Sequence, residues 1–163
     1  MSKRYFISDP HFGHENMAIR RGFKDADQMG EHIVKMWNSV VSKKDVVYIL
    51  GDITMEKATQ YHWLDRLSGI KIVVLGNHDQ RQHTARMMEH VHNVAGVIYL
   101  RDKTLDNVIL THVPIHPTEL EYRFEYNIHG HVHDKSLDDK RYINVCAEVI
   151  DYTPKLLSEL IKK

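Results

Sequence analysis

The chain has one cysteine, Cys146. A single thiol cannot close an internal disulfide, so the fold does not depend on an oxidising compartment. No sign of charge is in excess: 22 Lys and Arg residues balance 22 Asp and Glu, giving a formal net charge of zero. A chain that rides on nucleic acid usually carries a basic surplus, so charge does not indicate nucleic acid as a partner, though it does not exclude it. Long apolar runs are also missing. The start, Met1-Ser2-Lys3-Arg4-Tyr5-Phe6-Ile7-Ser8-Asp9, has an apolar run of only three residues. That is far short of a signal-peptide core, and no segment approaches membrane-spanning length. No Gly/Ser tract, Pro-rich linker, block of like charge or internal repeat interrupts the chain, so nothing reads as disorder. The 163 residues, 42% hydrophobic and 27% charged, fit one domain, 1–163, with the cytoplasm as default location.

Histidine is what the sequence has in quantity, with 13 residues. It is neither a strong helix former nor a favoured core residue. It is the commonest protein metal ligand and a proton carrier near neutral pH.

Five apolar, β-rich runs predict strands: Tyr5-Phe6-Ile7, Val46 to Leu50, Ile70 to Leu75, Val108-Ile109-Leu110 and Tyr126-Asn127-Ile128. Gly96 to Leu100 and Tyr142 to Cys146 read as further strands without polar ends of interest. Helical spacing runs from Asp27 to Val41, through Met29, Ile33, Met36, Trp37 and Val40. A second helix is expected over Glu56 to Leu67, with Trp63 out of phase, and Thr153-Pro154 reads as the start of a short C-terminal helix. Strand and helix alternate in the first half, which argues an α/β fold.

Each of the five runs is followed by residues suited to metal binding or proton transfer. In order these are Asp9 and His11, Gly51-Asp52, Gly76-Asn77-His78-Asp79, Thr111-His112, and Gly130-His131-Val132-His133. Ligands of layered α/β folds bind beyond the carboxyl ends of strands, so strands of common direction would bring these residues to one rim. Two carboxylates, four imidazoles and an amide gathered without cations would be costly, because like charges repel and buried polar groups lack partners. The thiolate-free O/N set suits Mn2+, Fe, Zn2+, Ni2+ or Co2+. Gly51, Gly76 and Gly130 stand where the chain must turn sharply or approach closely.

These blocks, in this order over residues 9 to 133, resemble the calcineurin-like metallophosphoesterases. His11-Phe12-Gly13-His14-Glu15-Asn16, Arg21-Gly22-Phe23 and Trp37-Asn38 are similar to a compact group of predicted phosphohydrolases in bacteria and phages, with Gly22 where that group favours proline. The resemblance implies a sandwich of two mixed β-sheets flanked by helices. It implies two divalent ions, Mn2+ foremost: one held by Asp9, His11, Asp52 and His133, the other by Asp52, Asn77, His112 and His131. It places His78 beside them, facing the leaving group. The reaction so implied is hydrolysis of a phosphomonoester or phosphodiester, nucleotide-like or a small phosphorylated molecule, by a metal-activated water, with His78 assisting the leaving oxygen.

Asn77, His14 and Arg21 are the expected substrate contacts; Arg20 reads as a surface residue, and Asp79 is a weaker candidate to orient His78. His32, His62, His83, His90 and His92 read as surface histidines, His116 as part of a rigid loop, and His129 as pointing away from the rim. Trp37 and Cys146 read as core. Two alternatives stay open: a non-catalytic metal-binding scaffold of the same fold, and a dinuclear hydrolase of non-phosphate esters. Every block is intact, which disfavours the first, and no His-x-His-x-Asp-His run is present, which disfavours the second.

Overall fold

The first apolar run forms strand β1 (Arg4–Ile7), flanked in parallel by the second, β2 (Val46–Ile49). The computed structural model describes residues 2–101 and 107–161. Strand β3 (Ile70–Val74) continues the parallel series, and β4 (Asn93–Ala95) extends it. The last strand of the chain, β9 (Lys155–Leu156), pairs antiparallel with β1, so the first sheet runs β4-β3-β2-β1-β9. The second sheet holds β5 (Ile98–Leu100), β6 (Val108–Leu110), β7 (Tyr126–His129) and β8 (Tyr142–Asn144) in that order. There β5 is antiparallel to β6, while β6, β7 and β8 are parallel.

Both sheets are therefore mixed, as expected. The central strands β1 and β2 read as unbroken apolar runs because they are covered on both faces. One core takes Phe6, Ile7, Val47 and Ile49 from the first sheet and Val108, Leu110 and Ile128 from the second. The sheets meet at a parallel bridge between Ser8 and Cys146, with Ser8 N–H donating to Val145 O at 2.8 Å and Ala147 N–H to Ser8 O at 2.9 Å.

Helix α1 (Glu15–Arg20) is followed by α2 (Ala26–Val40), which matches the predicted span within a residue. Asp25 caps α2 by accepting from Gln28 N–H at 2.8 Å. Its buried stripe of Met29, Ile33 and Trp37 faces the core, each fully buried side chain stabilising the fold by roughly 1.5–3 kcal/mol. Gly30 on the same stripe leaves room for the Trp63 indole, which a Cβ would contact at 2.7 Å.

Two local expectations change. The segment Ala58–Arg66 is a 3-10 helix. Its apolar residues Ala58, Tyr61, Leu64 and Leu67 recur every three positions, the period of that helix, and the out-of-phase Trp63 stacks on Phe12 at 5.6 Å. At the C-terminus, Thr153 does not start a helix. Lys155 and Leu156 pair with the open edge of β1, whose ladder groups need partners, and the last helical turn begins only at Leu157–Leu160. A 3-10 turn, Arg81–His83, and two short helical turns, Thr84–Met87 and Glu119–Tyr122, complete the elements among the described residues. No helix among the described residues is long and apolar enough to cross a membrane.

Candidate metal centre

Parallel pairing sets the strand ends level. Ile7 lies opposite Ile49, Ile49 opposite Val73, and Leu110 opposite Ile128. The residues that follow these ends share one rim, where the two sheets meet. Asp9 and His11 follow β1, Asp52 follows β2, Asn77 and His78 follow β3, His112 follows β6, and His131 and His133 follow β7.

The chain is contorted there. Asp9, His11, Asp52, His131 and His133 all adopt left-handed backbone, with φ of 55°, 50°, 53°, 69° and 53°. Such conformations cost on the order of 1–3 kcal/mol each and persist where surrounding contacts over-determine them. Close approach explains two glycines. A Cβ on Gly76 would run into the Asp52 carboxylate, and one on Gly130 into Ser8 Oγ and Asp9 Oδ2.

Three sets of side chains each place a ligand atom within 4.8 Å of one another: Asp9, His11 and Asp52; Asp52, His112 and His131; and Asp9, His133 and Cys146. Asn77 joins them through Oδ1, 2.9 Å from His112 Nε2. Asp9 Oδ1 and both ring nitrogens of His11 are buried without hydrogen-bond partners. His11 Nε2 lies 3.5 Å from Asp9 Oδ1, and His112 Nε2 lies 3.3 Å from Asp52 Oδ2. Two ligands each about 2.1 Å from a tetrahedral cation stand roughly 3.4 Å apart. With two carboxylates, imidazole nitrogens and an amide oxygen, and with Asp9 Oδ1 and both His11 nitrogens orphaned, the set fits divalent cations.

Electrostatics around the acids follow from their neighbours. Burial alone would raise the Asp9 carboxyl, but His11, His112, the Ser8 hydroxyl and His131 N–H together hold it well below the usual carboxylate range. Asp52 shows the same balance of burial against His112, and is held down. For His112, burial is outweighed by Asp52 and the imidazole is raised. Burial, then the Asp9 charge, pushes the Cys146 thiol up, and it donates to Asp9 Oδ2 at 3.3 Å.

His78 sits 26% exposed on the rim, its backbone N–H donating to Asp52 Oδ1 at 2.9 Å and its Nδ1 lying 3.5 Å from Glu56 Oε1. Asp79 does not orient it. The Asp79 carboxylate instead accepts from the backbone of Asp52, Ile53 and Gly76 at 2.8, 3.1 and 2.9 Å, clipping the β2 and β3 ends together. His14 is half-buried at the start of α1, its ring 5.6 Å from His11, and burial followed by the charges of His11 and His78 lowers its pKa.

Arg21 lies differently from the substrate contact expected of it. Its side chain is 3% exposed and bonded to Glu148 Oε2, with Nη2 also donating to Asp9 O at 2.8 Å. Arg20 is the exposed one, 3.4 Å from Asp134. The β8 end, expected to carry nothing of interest, delivers Cys146 and Glu148 to the site. Glu148 Oε1 is 2.8 Å from His133 Nδ1. Ser8 is a second residue not singled out from sequence; its hydroxyl donates to Asp9 Oδ2 at 2.6 Å.

The remaining histidines lie off the ligand rim. His62 and His92 are exposed, as is His116, whose Nδ1 accepts from Thr118 N–H at 3.3 Å. His90 pairs with Asp65 at 2.8 Å, His83 is half-buried, and His32 packs between Phe23 and Tyr152 rather than standing free. His129 is buried beside Tyr142.

Comparison with known proteins agrees with the geometry. The family model described as calcineurin-like phosphoesterase matches residues 3–100. An uncharacterized protein of Methanocaldococcus jannaschii is 32% identical over 177 residues, covering 99% of this chain and 91% of the relative. The gene 66 protein of Mycobacterium phage L5 is 33% identical over 162 residues, covering 82% of this chain and 78% of the phage protein. Among solved structures, a protein of unknown function from Aquifex aeolicus matches with a TM-score of 0.78 at 27% identity, covering 98% of this chain and 97% of the other. A novel archaeal phosphodiesterase shares the fold, with a TM-score of 0.52 at 20% identity over 87% of this chain and 82% of its own.

Proposed function

Because the chain belongs to the calcineurin-like phosphoesterase family, we propose that it is a dinuclear metal-dependent hydrolase of phosphomonoesters or phosphodiesters. The observation that carries this reading is the gathering of ligand-type side chains at one rim from five strand ends, with Asp9 Oδ1 and both His11 ring nitrogens buried there without partners. Asp9, His11, Asp52 and His133 would hold one divalent ion, and Asp52, Asn77, His112 and His131 the other, with Asp52 shared. Bound there, the ions supply positive charge against phosphoryl oxygens and acidify a water for attack.

The chain's own groups do the rest. His78 protonates the departing oxygen, standing at the solvent edge with its backbone fixed on Asp52. Asn77 turns amide hydrogens toward the phosphoryl group while its oxygen faces the ions. His14, kept toward its neutral form, offers a hydrogen bond to the substrate without adding charge. A rim with exposed Asn77 and His131 admits small phosphorylated molecules or nucleotide-like substrates.

The test uses the whole chain, stripped by a chelator and assayed on a chromogenic phosphodiester and a chromogenic phosphomonoester with Mn2+ restored. Turnover of one or both that returns with Mn2+ is expected. Absence of metal-dependent turnover on both would refute the reading.

A further inference from the structure

We propose that Glu148, braced by Arg21, is a positioning residue that aims His133 at the first metal and sets the affinity of that site. The inference rests on the metal-site reading above.

His133 has two ring nitrogens, and only one can face the cluster formed with Asp9 and Cys146. Its Nδ1 is 2.8 Å from Glu148 Oε1. A carboxylate can only accept, so Nδ1 carries the proton and the lone pair falls to Nε2, free to meet a metal. His112 solves the same problem with a backbone acceptor, its Nδ1 lying 2.7 Å from Leu50 O. A carbonyl cannot be removed by substitution, whereas a side chain can. Of these two histidines, His133 is therefore the one whose aim depends on a replaceable group.

Glu148 is itself held. Its Oε2 accepts from Arg21 Nη2, and the same nitrogen donates to Asp9 O at 2.8 Å. Arg21 thus ties the backbone of one ligand to the carboxylate that orients another. His133 needs such support because its backbone is left-handed, with φ of 53°. Asn144 Nδ2 pins the same residue by donating to His133 O at 2.6 Å. Carboxylates behind ligating histidines raise their basicity and fix their ring plane, and losing one typically weakens metal binding about 10- to 100-fold.

Mn2+ binding is titrated by calorimetry, with free Mn2+ counted by electron paramagnetic resonance. The wild-type chain is compared with Glu148→Gln and with the Arg21→Met, Glu148→Gln double variant. Glutamine keeps the size of the side chain, and the double variant leaves no buried cation unpaired. Unfolding midpoints of the metal-free chains report folding separately. Two binding events are expected in the wild type, with one of them weakened about 10- to 100-fold in both variants and the other unchanged. Affinities unaltered in both variants overturn the proposal. So does an equal loss at both sites in step with lost metal-free stability, which is what a merely structural role predicts. A wild-type chain that takes up no Mn2+ overturns it together with the metal-site reading. Phosphoester turnover does not enter the measurement, so its failure and failure of the hydrolase reading are told apart.

Discussion

Replacing Asp79 with alanine tests the clip between strand ends most directly. The carboxylate is 5% exposed and accepts three backbone N–H groups, those of Asp52, Ile53 and Gly76. Asp52 and Ile53 are themselves buried, while Gly76 is partly exposed and water can replace its lost acceptor. Two buried donors left unsatisfied cost roughly 1–3 kcal/mol each. Burial, and then the charge of Asp52, raise the Asp79 pKa, so removing the charge returns part of that cost. A net loss of about 3 kcal/mol is expected for Asp79→Ala, and about half that for Asp79→Asn, which keeps one accepting oxygen. Urea unfolding followed by the fluorescence of Trp37 and Trp63 measures it, in chelator so that metal binding adds nothing to the folded state. An alanine variant within about 1 kcal/mol of wild type would refute the clip, since even one orphaned buried donor costs that much. Unchanged stability with lowered turnover would instead restore the reading in which Asp79 orients His78.

Three further outcomes are expected. His78→Ala retains its Mn2+ and loses about 10²- to 10⁴-fold in turnover; loss of metal by atomic absorption would show that His78 is a ligand. Asp45 is held down to a pKa of about 2 by the Ser42 hydroxyl and then the Lys3 N–H, a stabilisation complete above about pH 4 and lost as pH falls through the folded value. Asp45→Asn should therefore cost about 1–2 kcal/mol at pH 7 in urea unfolding, falling to almost nothing only at about pH 1, below the folded value, the figure being discounted because asparagine keeps one accepting oxygen. A difference that stays constant across that range would be against it. Gly30→Ala improves helix propensity by about 1 kcal/mol, but its Cβ meets the Trp63 ring at 2.7 Å. Overpacking costs about 1–3 kcal/mol, so calorimetry should show a lower Tm, and a raised one contradicts the packing described.

The gathering of the proposed ligands at one rim was legible because each of them follows an apolar run that becomes a strand of shared direction. That is a local signal, one strand end at a time, with Gly76 and Gly130 marking the close approaches. The supporting groups were not legible in the same way. Ser8, Cys146 and Glu148 meet Asp9 and His133 only after β8 returns beside the end of β1, and the Cys146–Asp9 contact spans 137 positions. Nothing in the spacing around Arg21 tells a guanidinium that meets substrate from one buried on a carboxylate. The left-handed backbone of Asp9, His11, Asp52, His131 and His133 was also hidden, because Asp and His tolerate that region better than most residues. At Ala58 to Leu67 the spacing of three is visible, but over so short a segment it differs little from the period of an α-helix. At Lys155 the open edge of β1 outweighed a local helix signal.

The seam at Ser8 and Cys146 has a mechanical side. One sheet ends in Asp9, His11, Asp52 and Asn77, the other in His112, His131 and His133. Each proposed ion draws ligands from both, so each would rivet one sheet to the other. Amide exchange along the seam, at Ser8, Val145 and Ala147, then becomes a gauge of occupancy: slow when the rivets are in, quicker when a chelator draws them out.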